Sequence, residues 1–129
     1  MKIRLGELQQ WISGFNYISK LRFRAIISIQ LRKLYKMLMK EFKAFEEERI
    51  KLVKNYAKKD EKGEPVVENG NFILADPQGF TKEFAELQNL EIEIDFNKIP
   101  IKIKADMEIE PFALDILMDI AENEDIIER

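Results

Sequence analysis

Apolar residues recur through residues 24–59 at Ile27, Leu31, Leu34, Leu38, Phe42, Phe45, Leu52 and Tyr56. The steps are mostly three and four, the spacing that stacks side chains on one face of a 3.6-residue helix. No Pro or Gly interrupts the stretch, so the pattern predicts one long helix over 24–59. At 1.5 Å per residue, about 36 residues would span roughly 54 Å. That exceeds the diameter of a small domain, so part of the helix is expected to project or to meet a partner. Phe23, Ile26, Ile29, Met37 and Met39 lie off the main seam. They widen the apolar face of the first half, which is expected to be buried on two sides. After Phe45 the stripe thins, and that half is expected to be more exposed.

The chain opens with Lys2-Ile3-Arg4-Leu5, an alternation suited to a short half-buried strand over 2–5, which Gly6 ends. From Glu7, the apolar positions Leu8, Trp11, Ile12, Phe15 and Ile18 predict a first helix that stops near Ser19–Phe23. Gly14 inside it weakens it by about 1 kcal/mol relative to Ala. Since no Gly or Pro marks the break, a continuous helix from Glu7 onward is the competing reading. Further on, Asn69-Gly70 stands between short apolar runs, a strong hairpin signal, and predicts a ribbon over 65–74. Thr81 offers an N-cap to a short helix bearing Phe84, Leu87 and Leu90.

Residues 91–96 alternate strictly, with Ile92, Ile94 and Phe96 on one face. Ile99, Ile101 and Ile103 alternate again after the Asn97-Lys98 turn, with Pro100 delaying the strand to about 101–104. Pairing would set Glu91, Glu93 and Asp95 near Lys102 and Lys104, with 2–5 as a third strand. Glu110-Pro111 opens a last helix, Pro standing where its missing N–H costs nothing, and Asp125–Arg129 is expected to fray. The fold class is α+β: a helical hairpin dominated by the long helix, a small antiparallel sheet, a central β-hairpin and short C-terminal helices. A length of 129 residues fits one domain, 1–129.

Composition narrows the chemistry. Apolar residues make up 46% and charged residues 35%, the balance of a globular chain with a highly charged surface. Cys and His are both absent, which removes thiolate chemistry, disulfides, the commonest general base and the commonest transition-metal ligand. No apolar run approaches the roughly 20 residues of a membrane span and the first residues lack a secretory h-region, so a cytoplasmic, soluble protein is the expectation. The net charge of −3 hides a polarity. Residues 1–59 carry 15 Lys/Arg against 5 Glu, whereas residues 60–129 carry 6 against 19 Asp/Glu. The simplest expectation is that the two halves fold together and partly neutralise each other. An overall pI near 5.2 argues against a dedicated nucleic-acid binder.

No phosphate loop, nucleophile elbow or zinc spacing is present, and Asp60–Glu64 lacks the ligand spacing of an EF-hand. The alternating acids of 91–95, with Lys102 nearby, read as a solvated sheet face rather than as a nuclease metal site. The chain is therefore expected not to be an enzyme, with no catalytic residue, metal ligand or cofactor. Contact features remain. A basic belt runs from Lys20 to Lys43 beside Trp11, Phe15, Tyr17 and Tyr35, with Arg22, Arg24, Arg32, Lys33 and Lys36 as its candidate contact residues, and is either a solvated helix face or a grip for phosphates. The long helix invites a helix–helix interface. Val66, Val67 and Phe72 on the ribbon offer an edge to a partner's sheet.

Phe45-Glu46-Glu47-Glu48-Arg49-Ile50-Lys51-Leu52, the following Tyr56, and the acidic turn Lys59-Asp60-Glu61-Lys62-Gly63 resemble a family of short phage and prophage proteins known as domain of unknown function 1617. The opening Lys-Ile-Arg-Leu, the Phe80–Leu87 helix and the Glu-Ile-Glu-Ile strand fit its layout too. The resemblance implies a phage or prophage of low-GC Gram-positive bacteria, found in the host cytoplasm or the virion, and transfers no catalytic residues. Three functions follow as expectations. The first is a protein acting through protein–protein contacts in virion or tail assembly, its partner being itself, a phage structural protein or a host protein. The second is an inhibitor or modulator of a host (defence) system whose acidic C-terminal half would imitate nucleic acid, and the third a weak nucleic-acid binder using Arg22, Arg24, Arg32, Lys33 and Lys36.

Overall fold

The structure is a computed structural model that describes residues 1–104, 106–122 and 127–128. Its architecture is α+β, with four α-helices among the described residues, one of them long, and short two-stranded pairings. Strand β1 (Lys2–Arg4) runs into a 3-10 turn, Leu5–Glu7, and then α1 (Leu8–Ile18). Helix α2 (Ala25–Tyr56) follows. Next come β2 (Val67–Glu68), β3 (Asn71–Phe72), α3 (Pro77–Asn89), β4 (Glu91–Glu93), β5 (Ile103–Lys104), α4 (Pro111–Ile120) and β6 (Ile127–Glu128).

The first two helices are separate. Helix α1 tightens at its end through Ser19 N–H to Phe15 O, Lys20 N–H to Tyr17 O and Leu21 N–H to Ile18 O. Arg24 then adopts an extended conformation and its carbonyl accepts from Ile27 and Ser28 to begin α2. The break therefore needs no Gly or Pro. Half-buried Leu21 and Phe23 turn back onto the core and hold the bend.

Helix α2 is 32 residues long, about 48 Å. Its buried residues are Ile27, Leu31, Leu34, Leu38 and Phe45, and burying each side chain contributes about 1.5–3 kcal/mol. One expectation about this helix fails. Its first half is buried on one side only, since Ile26, Ile29 and Met39 are exposed. Its second half is the more exposed one, as expected, and α3 packs along it through an aromatic ladder. Phe45 stacks on Phe84 at 6.2 Å, Phe84 on Phe80 at 5.5 Å, and Phe80 meets the edge of Tyr56 at 6.3 Å. The thinner stripe after Phe45 is as expected: no later residue of α2 is buried, and Ile50 is exposed.

Helix α3 starts earlier than Thr81. Asp76 is the N-cap, its Oδ1 accepting from Gly79 N–H at 3.0 Å, with Pro77 in the first turn. Asp-Pro outranks Thr as a start signal because the carboxylate satisfies a free amide and Pro brings a preset φ. The Thr81 hydroxyl instead donates to Pro77 O, back within the helix.

The ribbon forms where expected. Asn69 and Gly70 have φ of 52° and 79°, the two left-handed positions of a type I′ turn. Beyond β2 and β3 the backbone closes a ring of three hydrogen bonds. Lys58 N–H donates to Ile73 O, Ile73 N–H to Val66 O, and Val66 N–H to Lys58 O. The residues just after α2 are thus paired with both arms of the hairpin.

Strand β1 pairs antiparallel with β4, placing Lys2 opposite Glu93 and Arg4 opposite Glu91. The strand expected over 101–104 goes elsewhere. Residues 101–104 do not return beside 91–96; β5 pairs in parallel with β6, and Ile99 bridges in parallel to Ala121. Asn97-Lys98 lacks the glycine that a tight hairpin turn favours, and Pro100 removes an amide. A parallel return needs a long crossover, and α4 supplies it. Glu91 and Glu93 therefore face the cations of β1 rather than Lys102 and Lys104. Of the tail expected to fray, Asp125, Ile126 and Arg129 lie outside the described residues, whereas Ile127–Glu128 forms β6.

Ile94, Ile99, Ile101 and Ile103 are buried and meet Ala113, Ile116, Leu117 and Ile120 of α4 in a core that also takes in Leu8, Phe15 and Ile18 of α1. Helix α1 lies between α2 and α4. Its Phe15 ring is 6.1 Å from Tyr35 on α2, and its Gly14 sits against Ile116 on α4.

Candidate functional site

The basic belt is real and solvent-facing. Arg22 and Arg24 are exposed in the turn before α2, and Arg32, Lys33 and Lys36 are exposed on the helix itself. Lys40 and Lys43 continue the same side, away from the buried seam of Leu31, Leu34 and Leu38. Among the described residues none of these seven cations is ion-paired; the ion pairs there are Met1–Glu93, Arg49–Glu46 and Lys51–Glu48. The expected neutralisation of one half of the chain by the other is thus not made by contacts on this face. Exposed Ile26, Ile29 and Met39 interrupt the charge with apolar area.

At the α1 end of this face a cleft of about 400 Å³ opens among Phe15, Phe23, Ser28, Arg32 and Tyr35. Its rings belong to the core, and Arg32 sits at its rim. Of the belt, this cleft takes in Arg32 alone.

The ribbon carries the other expected residues. Val67 and Phe72 are cross-strand partners and both are exposed, at 52% and 38%, whereas Val66 is half-buried. Belt and ribbon are not one site. From Lys36 to Ala57 the chain climbs about 30 Å of helix, so the structure sets these two groups toward opposite ends of α2.

A third surface escaped sequence reasoning. On α4 the buried side is Ala113, Ile116, Leu117 and Ile120, and the opposite side shows Asp115, Met118 and Asp119 to solvent. Met118 is 58% exposed and Phe112 43%. Glu108, Glu110 and Glu122 are exposed at either end of the helix. The signal was present in the chain, since residues 105–128 contain no Lys or Arg.

Among the described residues the perturbed titrating groups sit outside these surfaces. Tyr56 Oη donates to Glu83 Oε1 at 2.6 Å, and this bond together with the carboxylate charge pushes the phenol up to about 12. The N-terminal ammonium, 2.8 Å from Glu93, holds that carboxyl below its ordinary range. Arg49 is raised by its hydrogen bonds to Glu46, the Nη2 contact being 2.8 Å. All three are paired structural groups. Among the described residues no group of three Asp or Glu converges as a metal ligand set would, and no helix is long and apolar enough to cross a membrane. The chain matches no protein-family model, no curated protein and no solved structure.

Proposed function

We propose that this chain is a non-enzymatic phage or prophage protein that works through protein–protein contacts, in virion or tail assembly. The observation that carries the contact reading is the placement of its exposed large apolar side chains. Ile26, Ile29 and Met39 lie on α2, Phe112 and Met118 on α4, and Val67 and Phe72 on the ribbon. Single exposed apolar residues are ordinary. Ile50 and Leu90 are exposed too, but these seven fall in groups of two or three on three elements, among charged residues, which suits a contact surface. The phage context rests on the resemblance of residues 45–63, and the assembly role on that context.

A second reading, an inhibitor of a host system that imitates nucleic acid, is favoured by the run of exposed acids from Asp106 to Glu122 with no cation among them. Gene neighbourhood separates the two: structural genes alongside support assembly, early or accessory genes support inhibition.

The test is a photo-crosslinking amino acid placed in turn at Ile29, Phe72 and Met118, in cells that make the protein in its native setting. Protein adducts identified by mass spectrometry support the reading, and their identity separates virion from host partners. An absence of protein adducts from all three positions overturns it.

A further inference from the structure

Two faces of this molecule match each other in form and oppose each other in charge. On α2, Ile29, Arg32, Lys36, Lys40 and Lys43 recur at steps of three and four on the side opposite the buried seam, a stripe of about 21 Å. Residues 22–43 hold seven Lys/Arg against the single Glu41. On α4, Asp115, Met118 and Asp119 face outward, flanked by exposed Glu108, Glu110 and Glu122, and the ten-residue helix spans about 15 Å. Each face sets an exposed apolar residue among charges of one sign: Ile29 among cations, Met118 among acids.

Helix α1 packs against both α2 and α4 and lies between them. Among the described residues no ion pair joins α2 to α4. The two faces are therefore not spent on each other inside one chain.

We infer that the basic face of α2 docks on the acidic face of α4 in a second copy of this chain, head to tail. This deepens, and rests on, the reading of the chain as a contact protein. The contact is heterologous, so each added copy leaves one face of each kind open. Growth then continues to a ring or a filament rather than stopping at a dimer. A nucleic acid would satisfy α2 alone and leave the acidic face of α4 without a partner, whereas a second copy satisfies both faces at once. Ile29 and Met118 supply apolar area for the centre of the contact, and the charges around them set register and encounter rate. Because those charges are exposed, the association is sensitive to salt.

The experiment is solution mass by light scattering across a wide concentration range, at low salt and at about 1 M salt, where the screening length falls to about 3 Å. The expected result is a mass that climbs past a dimer with concentration at low salt and returns to 15.3 kDa at high salt. Two variants carry the argument further: Lys36→Glu with Lys40→Glu, and Asp115→Lys with Asp119→Lys. All four positions are exposed, so circular dichroism should show both variants folded. Each alone loses self-association, and their equimolar mixture regains it, because each then meets the opposite charge.

A wild-type mass of 15.3 kDa at every concentration overturns the inference, as does association that persists unchanged in both variants. If the wild type is monomeric but the crosslinks reach a foreign protein, the inference falls and the contact reading stands. If no protein adduct forms and a labelled single-stranded oligonucleotide binds the wild type but not the Lys36→Glu, Lys40→Glu variant, both fall.

Discussion

Gly14 faces Ile116 so closely that a Cβ at position 14 would lie 2.2 Å from Ile116 Cδ1. The glycine weakens α1 as a helix but lets α1 and α4 approach, and the second effect dominates because Ile116 is buried. Gly14→Ala gains about 1 kcal/mol of helix propensity and loses about 1–3 kcal/mol to overpacking. A net loss of stability is expected in denaturant unfolding. In an Ile116→Val background, which removes the obstructing methyl, the same substitution should become stabilising. If Gly14→Ala lowers stability equally in both backgrounds, the contact is not what fixes the residue.

The hydrogen bond from Tyr56 to Glu83 predicts a late-titrating phenol. Its pKa is raised from 10.0 to about 12 by the bond and by the charge of Glu83. A group whose folded pKa is raised contributes stability that is whole below its unfolded pKa and lost as pH climbs through the folded one. The contribution is therefore complete below about pH 10 and gone above about pH 12. Absorbance titration of the phenolates should show one of the three tyrosines ionising about 2 units late. Glu83→Gln should bring it back toward 10.0.

Burial divides α2 energetically into two halves. Leu38 is fully buried and Ile50 is 42% exposed. Leu38→Ala should cost about 2–5 kcal/mol, and Leu38→Asp should prevent folding by placing an unpaired charge in the core. Ile50→Ala should fall within about 0.5 kcal/mol of wild type. Equal midpoints for Leu38→Ala and Ile50→Ala in a urea titration would refute this division.

The ribbon depends on the left-handed backbone at Gly70, where φ is 79°. Gly70→Ala should cost about 1 kcal/mol or somewhat more through strain alone, since nothing lies within reach of the added methyl. The effect should stay local. Amide exchange should quicken at Val66 and Ile73 while Leu34 and Leu38 hold their protection. Uniform acceleration across the chain would show that the ribbon is part of the global fold.

Local signals were legible where one residue type dictates one geometry. Asn69-Gly70 wrote the turn, Glu110-Pro111 wrote the start of α4, and the seam from Ile27 to Phe45 wrote the buried face of α2. What failed were pairings between distant segments. The alternation of Ile99, Ile101 and Ile103 says that alternate positions are buried, and they are. It cannot say that the strand takes its partner from beyond α4 rather than from residues 91–96. Charge misled in a related way. The sums for the two halves of the chain are silent on which faces receive them, so the acidic side of α4 passed unnoticed although no Lys or Arg occurs near it. Apolar residues usually go inside, and nothing in the sequence marks Ile26 and Ile29 as exceptions. Their exposure is legible only once α1 and α3 are seen to share one side of α2.

The ring of hydrogen bonds among Lys58, Val66 and Ile73 makes α2 a helix with unlike ends. Fraying ordinarily enters at either terminus. Here the chain that leaves Tyr56 is clasped at once on two sides, while the Arg24 end has no side-chain cap. One end is therefore kept by backbone bonds with little burial behind them, and the other by the buried side chains of Ile27 and Leu31 with no cap at all.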